Sequence, residues 1–267
     1  KMSRSLSYPK NRIKVLLLEG VHPQAVELFE KEGYQVEYLT TSLSEDELCE
    51  KITDVNVIGI RSKTHITEKV IKSAKRLINV AAFCIGTNQI DLDACTRHGV
   101  AVFNAPYSNT RSVVELAIAE IIMLVRNLPD KARAMHNGKW EKSAAGAQEV
   151  RSKKLGIVGY GNIGAQLSVV AEAMGMDVYY YDLEEKLAMG NATKCDSLEE
   201  LLGLVDVVTL HVDGRPENNN IFGAKQFDMM KEGAIFINLA RGKVVDVKAL
   251  RENMLSGKLK GCAVDVF

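Results

Sequence analysis

LGIVGYGNIG (155–164) is the stretch on which the reading of this chain turns. A short β-rich run, Leu155 to Val158, enters Gly159-Tyr-Gly161-Asn-Ile-Gly164, and a helical stretch, Ala165 to Met174, leaves it. The next β-rich run, Val178 to Tyr181, ends on Asp182, eighteen residues past Gly164. Glycines fall into G-x-G-x-x-G spacing by chance, so the motif alone is weak. The sequence strand, glycine turn, helix, strand and acid is a far more specific context, that of a dinucleotide-phosphate turn. Gly159 permits the tight turn, Gly161 lets the backbone approach a pyrophosphate, and Gly164 lets the helix pack closely on the strand. The helix N-terminus offers free N–H groups and the positive end of its dipole to phosphate. Asp182 is expected to accept from adenine ribose hydroxyls and to repel a 2′-phosphate, which predicts NAD rather than NADP as cofactor.

Outward from this motif the chain alternates β-rich runs with amphipathic segments. Before it, IKVLLLEG, QVEYLT, VNVIGIRS, LINVAAFCIG and VAVFNAP are strand-like. Between them, helices are predicted over Pro23–Glu32, Ser44–Thr53, Thr67–Lys75 and Asp91–His98. Gly33 and Gly99 suit left-handed helix ends, and Ser44 with Glu47 spells a capping box. After it, DVYYYD, DVVTLHV, AIFINLA and GCAVDVF are further strands. Such alternation argues for parallel sheets covered by helices on both faces.

Asn104-Ala-Pro-Tyr-Ser-Asn109 interrupts the rhythm, placing a domain boundary near Pro106. A long helix, Arg111 to Arg126, follows with a capping pair, Ser112 and Glu115, and an apolar stripe read as a domain-packing surface. The polar segment carrying Trp140 reads as a shorter helix and an exposed connection, with Trp140 as an interface or packing residue.

Composition narrows the class. The chain has 267 residues, and its 34 Lys+Arg balance 34 Asp+Glu, so it lacks the basic footprint of a nucleic-acid binder. At 46% hydrophobic residues it is too apolar for a disordered chain. Five scattered cysteines with no C-x-x-C pair read as reduced thiols of a cytoplasmic protein, and no Cys/His cluster has zinc spacing. The opening KMSRSLSYPK has no apolar stretch, so no signal peptide is read. The longest apolar segment, Val113 to Val125, contains Glu115 and Glu120 and is too short to span a membrane.

Other segments carry a family likeness. FINLARGKVVD (236–246) and KGCAVDVF (260–267) resemble the signature of the D-isomer-specific 2-hydroxyacid dehydrogenases. In the first half, IGIRSKTHIT (58–67), AAFCIGTNQIDLDA (81–94) and FNAPYSNTRSVVEL (103–116) extend the resemblance over essentially the whole chain. It implies an α/β protein of two doubly wound parallel-sheet domains. These are a flavodoxin-like substrate domain, 1–106, and a Rossmann NAD-binding domain, 107–267, that is C-terminally incomplete. It further implies NAD-dependent oxidation of a small 2-hydroxy acid by a homo-oligomer.

Residue by residue, Arg241 matches the family's catalytic arginine, whose planar fork grips the substrate carboxylate and polarises the reacting carbonyl. Asn162 and Ile163 match positions on the pyrophosphate, Leu239 and Ala240 the backbone beside the nicotinamide, and Asp265 an acid bonding its carboxamide. Thr87 matches a residue reaching the cofactor, and Val212 is expected near it. Arg61, Ser62 and Asn109 are the expected substrate-binding residues; the alternative for Arg61 is a solvated strand-end arginine. None of the five histidines (22, 65, 98, 136 and 211) matches a catalyst. The family's proton-transferring histidine and its glutamate match positions past Phe267, so the 267-residue chain is expected to be inactive by itself. Three readings stay open: a dehydrogenase for a phosphorylated acid, one for hydroxypyruvate, glyoxylate or D-lactate, and an NAD-sensing module without turnover.

Overall fold

A computed structural model describes residues 8–267. Most of the opening segment read above for a signal peptide, residues 1–7, lies outside the described residues. The chain divides into two compact units, Lys1–Asn109 and Thr110–Phe267.

The first unit runs β1 (Lys14–Leu17), α1 (Pro23–Lys31), β2 (Gln35–Tyr38), α2 (Glu45–Lys51), β3 (Val57–Ile60), α3 (Glu68–Ser73), β4 (Asn79–Ala82), α4 (Leu92–Arg97) and β5 (Ala101–Asn104). All five strands are parallel, in the order β2-β1-β3-β4-β5. That is the flavodoxin-like order, with its switch point between β1 and β3. The central strands read as near-continuous apolar runs because a parallel sheet is covered on both faces. Leu16, Ile58 and Val80 are fully buried there. The helix ends follow the local chemistry of the sequence. Ser44 accepts from the Glu47 amide at the start of α2, and the Glu47 carboxylate accepts from the Ser44 amide at 2.8 Å. Thr67 and Asp91 cap α3 and α4, while Gly33 (φ 88°) turns the chain out of α1.

The second unit begins with α5 (Thr110–Val125) and α6 (Leu128–His136). It continues through β6 (Lys154–Val158), α7 (Asn162–Ala173), β7 (Asp177–Tyr181), β8 (Thr193–Lys194), α8 (Leu198–Leu204) and β9 (Val207–Leu210). It closes with α9 (Ala224–Met229), β10 (Ala234–Asn238), α10 (Val247–Leu255) and β11 (Leu259–Val264). The six parallel strands lie in the order β11-β10-β9-β6-β7-β8, the doubly wound order of dinucleotide-binding sheets. On one face Phe222, Phe227 and Phe236 form an aromatic trio with ring centroids 4.8–5.1 Å apart. On the other, α5 and α7 cover the sheet.

Two readings of α5 change. The helix starts at Thr110, so Ser112 lies inside its first turn and does not cap it. Glu115 instead accepts from Arg111 Nε at 2.9 Å, an i,i+4 pair on the exposed side. The apolar stripe read as a domain-packing surface belongs to this unit's own core, where Val114, Ala117, Ile121 and Val125 pack with Leu155, Leu167 and Ile235. Trp140 sits in the connection after α6 and is 74% exposed. Among the described residues, no helix is long and apolar enough to cross a membrane.

Phe236 lies at the centre of the aromatic trio with no solvent exposure. Phe236→Ala is expected to cost the second unit roughly 3–5 kcal/mol, through lost transfer energy plus the cavity left behind. Urea unfolding followed by circular dichroism measures it.

Candidate functional site

The glycine motif is built by close backbone contact. Gly159 leaves β6 at φ 93°, and a Cβ there would stand 2.7 Å from the His211 carbonyl oxygen and 3.0 Å from the Val212 nitrogen. A Cβ on Gly164 would stand 2.4 Å from the Gly159 carbonyl oxygen. Contacts under 3 Å leave no room for any side chain at either position. Gly161 differs: nothing lies within 4 Å of where its Cβ would be, so its face is open. It is also the N-cap of α7 and supplies no side-chain cap, leaving the amides at the head of that helix free of a capping side chain. An open glycine before uncapped helix amides fits a pyrophosphate.

Asp182 ends the next strand, beside this turn because β6 and β7 run in register. One carboxylate oxygen accepts from the Tyr160 amide at 2.7 Å and the other from the Glu184 amide at 2.9 Å. Each oxygen keeps a lone pair for a further donor such as a ribose hydroxyl. Tyr160, between the two glycines, is buried and stacks on Tyr180 with ring centroids 3.8 Å apart. Its hydroxyl lies 2.7 Å from Ser168 Oγ and accepts from the Met189 amide at 3.1 Å, tying the turn to α7 and to the loop after β7.

At the end of β10 the buried Asn238 organises N-x-x-R. Its Oδ1 accepts from the Ala240 amide and its Nδ2 donates to the Arg241 carbonyl, both at 3.0 Å. Leu239 and Ala240 are buried, so this turn presents backbone outward. Arg241 spends one Nη1 donor on the Ala240 carbonyl at 2.7 Å. Among the described residues no carboxylate pairs with Arg241, which leaves most of its fork for a ligand. The Asp265 amide donates to the Asn238 carbonyl at 3.2 Å, bringing that exposed acid alongside. The glycine turn, Asp182, Val212, Leu239, Ala240, Arg241 and Asp265 therefore all lie beyond the carboxyl ends of β6, β7, β9, β10 and β11. His211 stands here too, but burial pushes its pKa down to about 4 and its Nδ1 has no partner.

In the first unit Arg61 and Ser62 follow β3, Thr87 follows β4, and Asn109 follows β5, all beyond the carboxyl edge of that sheet. Two residues missed in the sequence hold these loops. Glu19, at φ 61°, accepts from the amides of Arg61 (3.1 Å), Lys63 (2.9 Å) and Thr64 (2.8 Å). Gln89 donates to the Arg61 carbonyl at 2.7 Å and to the Gly86 carbonyl at 3.3 Å, tying the Arg61 and Thr87 loops together. Burial would raise the Glu19 carboxyl, but the amides of Lys63, Thr64 and Arg61 outweigh it and hold the pKa below the usual value. Among the described residues, no group of three or more His, Cys, Asp or Glu side chains could hold a metal ion.

Residues 118–267 match the D-isomer specific 2-hydroxyacid dehydrogenase, NAD binding domain. The chain belongs to this family, and NAD is its cofactor. Among curated relatives it is 52% identical to the D-3-phosphoglycerate dehydrogenase of Haemophilus influenzae, over all of this chain and 65% of that protein. It is 53% identical to D-3-phosphoglycerate dehydrogenase 1 of Saccharomyces cerevisiae, over 96% of this chain and 54% of that one. The chain thus spans somewhat less than two thirds of the length of these relatives. Among solved structures it resembles D-lactate dehydrogenase from Aquifex aeolicus, complexed with NAD and lactic acid. The TM-score is 0.84 at 28% identity, over 95% of this chain and 77% of that one.

Glu19 gives a test with a defined sign. Its folded pKa is depressed, so its contribution is complete above the ordinary carboxylate range and is lost as pH falls through the folded value. Glu19→Gln is expected to destabilise the first unit at neutral pH by about 1–3 kcal/mol, the worth of hydrogen bonds to a charged group. The variant's stability should also fall less than the parent's on acidification. Urea midpoints of both proteins at neutral and acid pH check this.

Proposed function

We propose that the protein to which this chain belongs is a D-3-phosphoglycerate dehydrogenase. It oxidises the C2 hydroxyl of 3-phosphoglycerate to 3-phosphohydroxypyruvate, the first step of L-serine biosynthesis. The observation that carries this reading is identity near 50% to proteins of that name along both units of the chain. A likeness confined to the dinucleotide unit would speak only for the cofactor.

NAD, when bound, supplies the hydride acceptor. The turn of Gly159, Gly161, Asn162, Ile163 and Gly164 would hold its pyrophosphate, and Asp182 its adenine ribose. The backbone of Leu239 and Ala240 and the Asp265 carboxylate would line the nicotinamide side, with Val212 near the cofactor, and Thr87 would be the first unit's cofactor-binding residue. Arg241 would grip the substrate carboxylate through its free N–H groups and stabilise the charge developing on the C2 oxygen. Arg61 and Ser62, on the loop steadied by Glu19 and Gln89, and Asn109, after β5, would be the first unit's substrate-binding residues. Residues 1–109 are thus the substrate-binding unit. Five free thiols fit a cytoplasmic site of action, and a homo-oligomer is the expected assembly.

The test is NADH formation, followed by absorbance, with the full-length protein and 3-phosphoglycerate, D-lactate, glycerate and glycolate as alternative donors. The proposal predicts turnover strongly favouring 3-phosphoglycerate. Arg241→Lys should lower kcat/KM roughly 100-fold or more, because an ammonium cannot reproduce the fork. Preference for an unphosphorylated acid would make the protein another 2-hydroxyacid dehydrogenase. NAD binding without turnover of any acid would make it an NAD-sensing module.

A further inference from the structure

The carboxyl ends of the second sheet carry the dinucleotide turn; its opposite edge carries a second hollow. There, where β6, β9, β10 and β11 begin, lies a concavity of about 430 Å³ lined by Lys153, Lys231, Lys260, Asp206 and Glu232. Its size falls within the range of small-molecule sites.

The charges around it are unevenly paired. Lys231 Nζ lies 3.1 Å from Asp206 Oδ1, and the other Asp206 oxygen accepts from the Lys154 amide at 2.9 Å. Glu232 pairs with Lys258 at 3.0 Å. Both carboxylates are therefore engaged. Among the described residues, neither Lys153 nor Lys260 has a carboxylate within ion-pair distance. Lys260 is nevertheless held in place: its Nζ donates to the Gly146 carbonyl at 2.6 Å and the Val125 carbonyl at 3.4 Å. Partial burial and the neighbouring Lys153 charge both lower its pKa, so the two ammonium groups share the hollow at mutual cost.

We propose that this hollow binds a phosphate monoester, at a site separate from the dinucleotide turn. A phosphate monoester at neutral pH brings a charge of roughly −1.5 to −2 and three strong acceptor oxygens. Lys260, oriented by two carbonyls, and Lys153, whose side chain makes no hydrogen bond or ion pair among the described residues, supply donors for them and lose their mutual repulsion. The volume exceeds what the phosphate fills and leaves room for a small organic part. The walls come from one unit and draw on none of the residues assigned to NAD, so this inference stands apart from the proposed dehydrogenase activity.

The test is an amide NMR titration of the chain with inorganic phosphate, with NAD present to fill the glycine turn. Gly146 and Gly233, both in the wall, are the reporters. Saturable shifts are expected at both, with none specific to Gly161. Lys153→Ala breaks no side-chain hydrogen bond or ion pair among the described residues and should weaken phosphate binding about tenfold, the equivalent of one charge-assisted hydrogen bond. Lys260→Gln keeps a donor for the Gly146 and Val125 carbonyls while removing the charge, and should weaken it comparably. The reporter amides of each unliganded variant should keep their parental positions, which excludes misfolding as the cause. Shifts that do not saturate, that centre on Gly161, or that persist unchanged in both variants would mean an adventitious ion only and overturn the proposal.

Discussion

Three backbone segments meet at Gly159 and Gly164, and the second unit depends on their being able to touch. The turn out of β6, the first turn of α7 and the end of β9 approach so closely that a single added carbon would collide at either glycine. This contact sets how deeply α7 sits on the sheet, and hence where its uncapped amides point. Tyr160 and Asp182 then lock the arrangement from the side, one by stacking on Tyr180, the other by accepting from the Tyr160 amide. Gly161, between the two glycines, has nothing within 4 Å of where its Cβ would be and leaves the face of the turn open. The packing of α7 and the open face at its N-terminus thus share one cause.

The parallel sheet does the remaining assembly. Strands running one way bring all their carboxyl ends to one edge, where chain reversals are loops free to carry function. Residues far apart in sequence, from Gly159 to Asp265, become neighbours on that edge without any contact between their side chains being required. In the first unit the same rule gathers Arg61, Thr87 and Asn109. What varies from loop to loop is how each is held. Asn238 staples the N-x-x-R turn with both ends of its amide, and Glu19 gathers three amides of the Arg61 loop on one carboxylate.

Much of this was legible beforehand because its signals are local. Apolar β-rich runs mark buried parallel strands, Ser44 with Glu47 marks a cap, and the glycine spacing marks the turn. Parallel topology in both units followed from the alternation of elements. The failures were also physical. Ser112 with Glu115 has the spacing of a capping pair, yet the helix had already begun at Thr110, and a pattern cannot tell the first position from the third. The stripe on α5 showed that something covers it but not what; the answer is its own sheet. The two-residue β8 is too brief for alternation to show, and the helices α8, α9 and α10, which begin after Ser197, Gly223 and Asp246, were not read from the sequence. Glu19 and Gln89 went unseen because their partners, backbone amides for Glu19 and the Arg61 carbonyl for Gln89, lie 28–45 residues away, and long-range hydrogen bonds leave no mark in sequence. Asn238 stood inside a recognised signature, though its stapling role became visible only with the turn in three dimensions.

The central claim is that the glycine turn and Asp182 together form an NAD site that excludes a 2′-phosphate. Calorimetric titration of the chain with NAD and, separately, with NADP tests it most directly. The account predicts saturable one-to-one binding of NAD and binding of NADP weaker by at least about tenfold, with Asp182→Ala narrowing the gap. Equal affinity for the two nucleotides, or no binding of NAD by the folded chain, would contradict it.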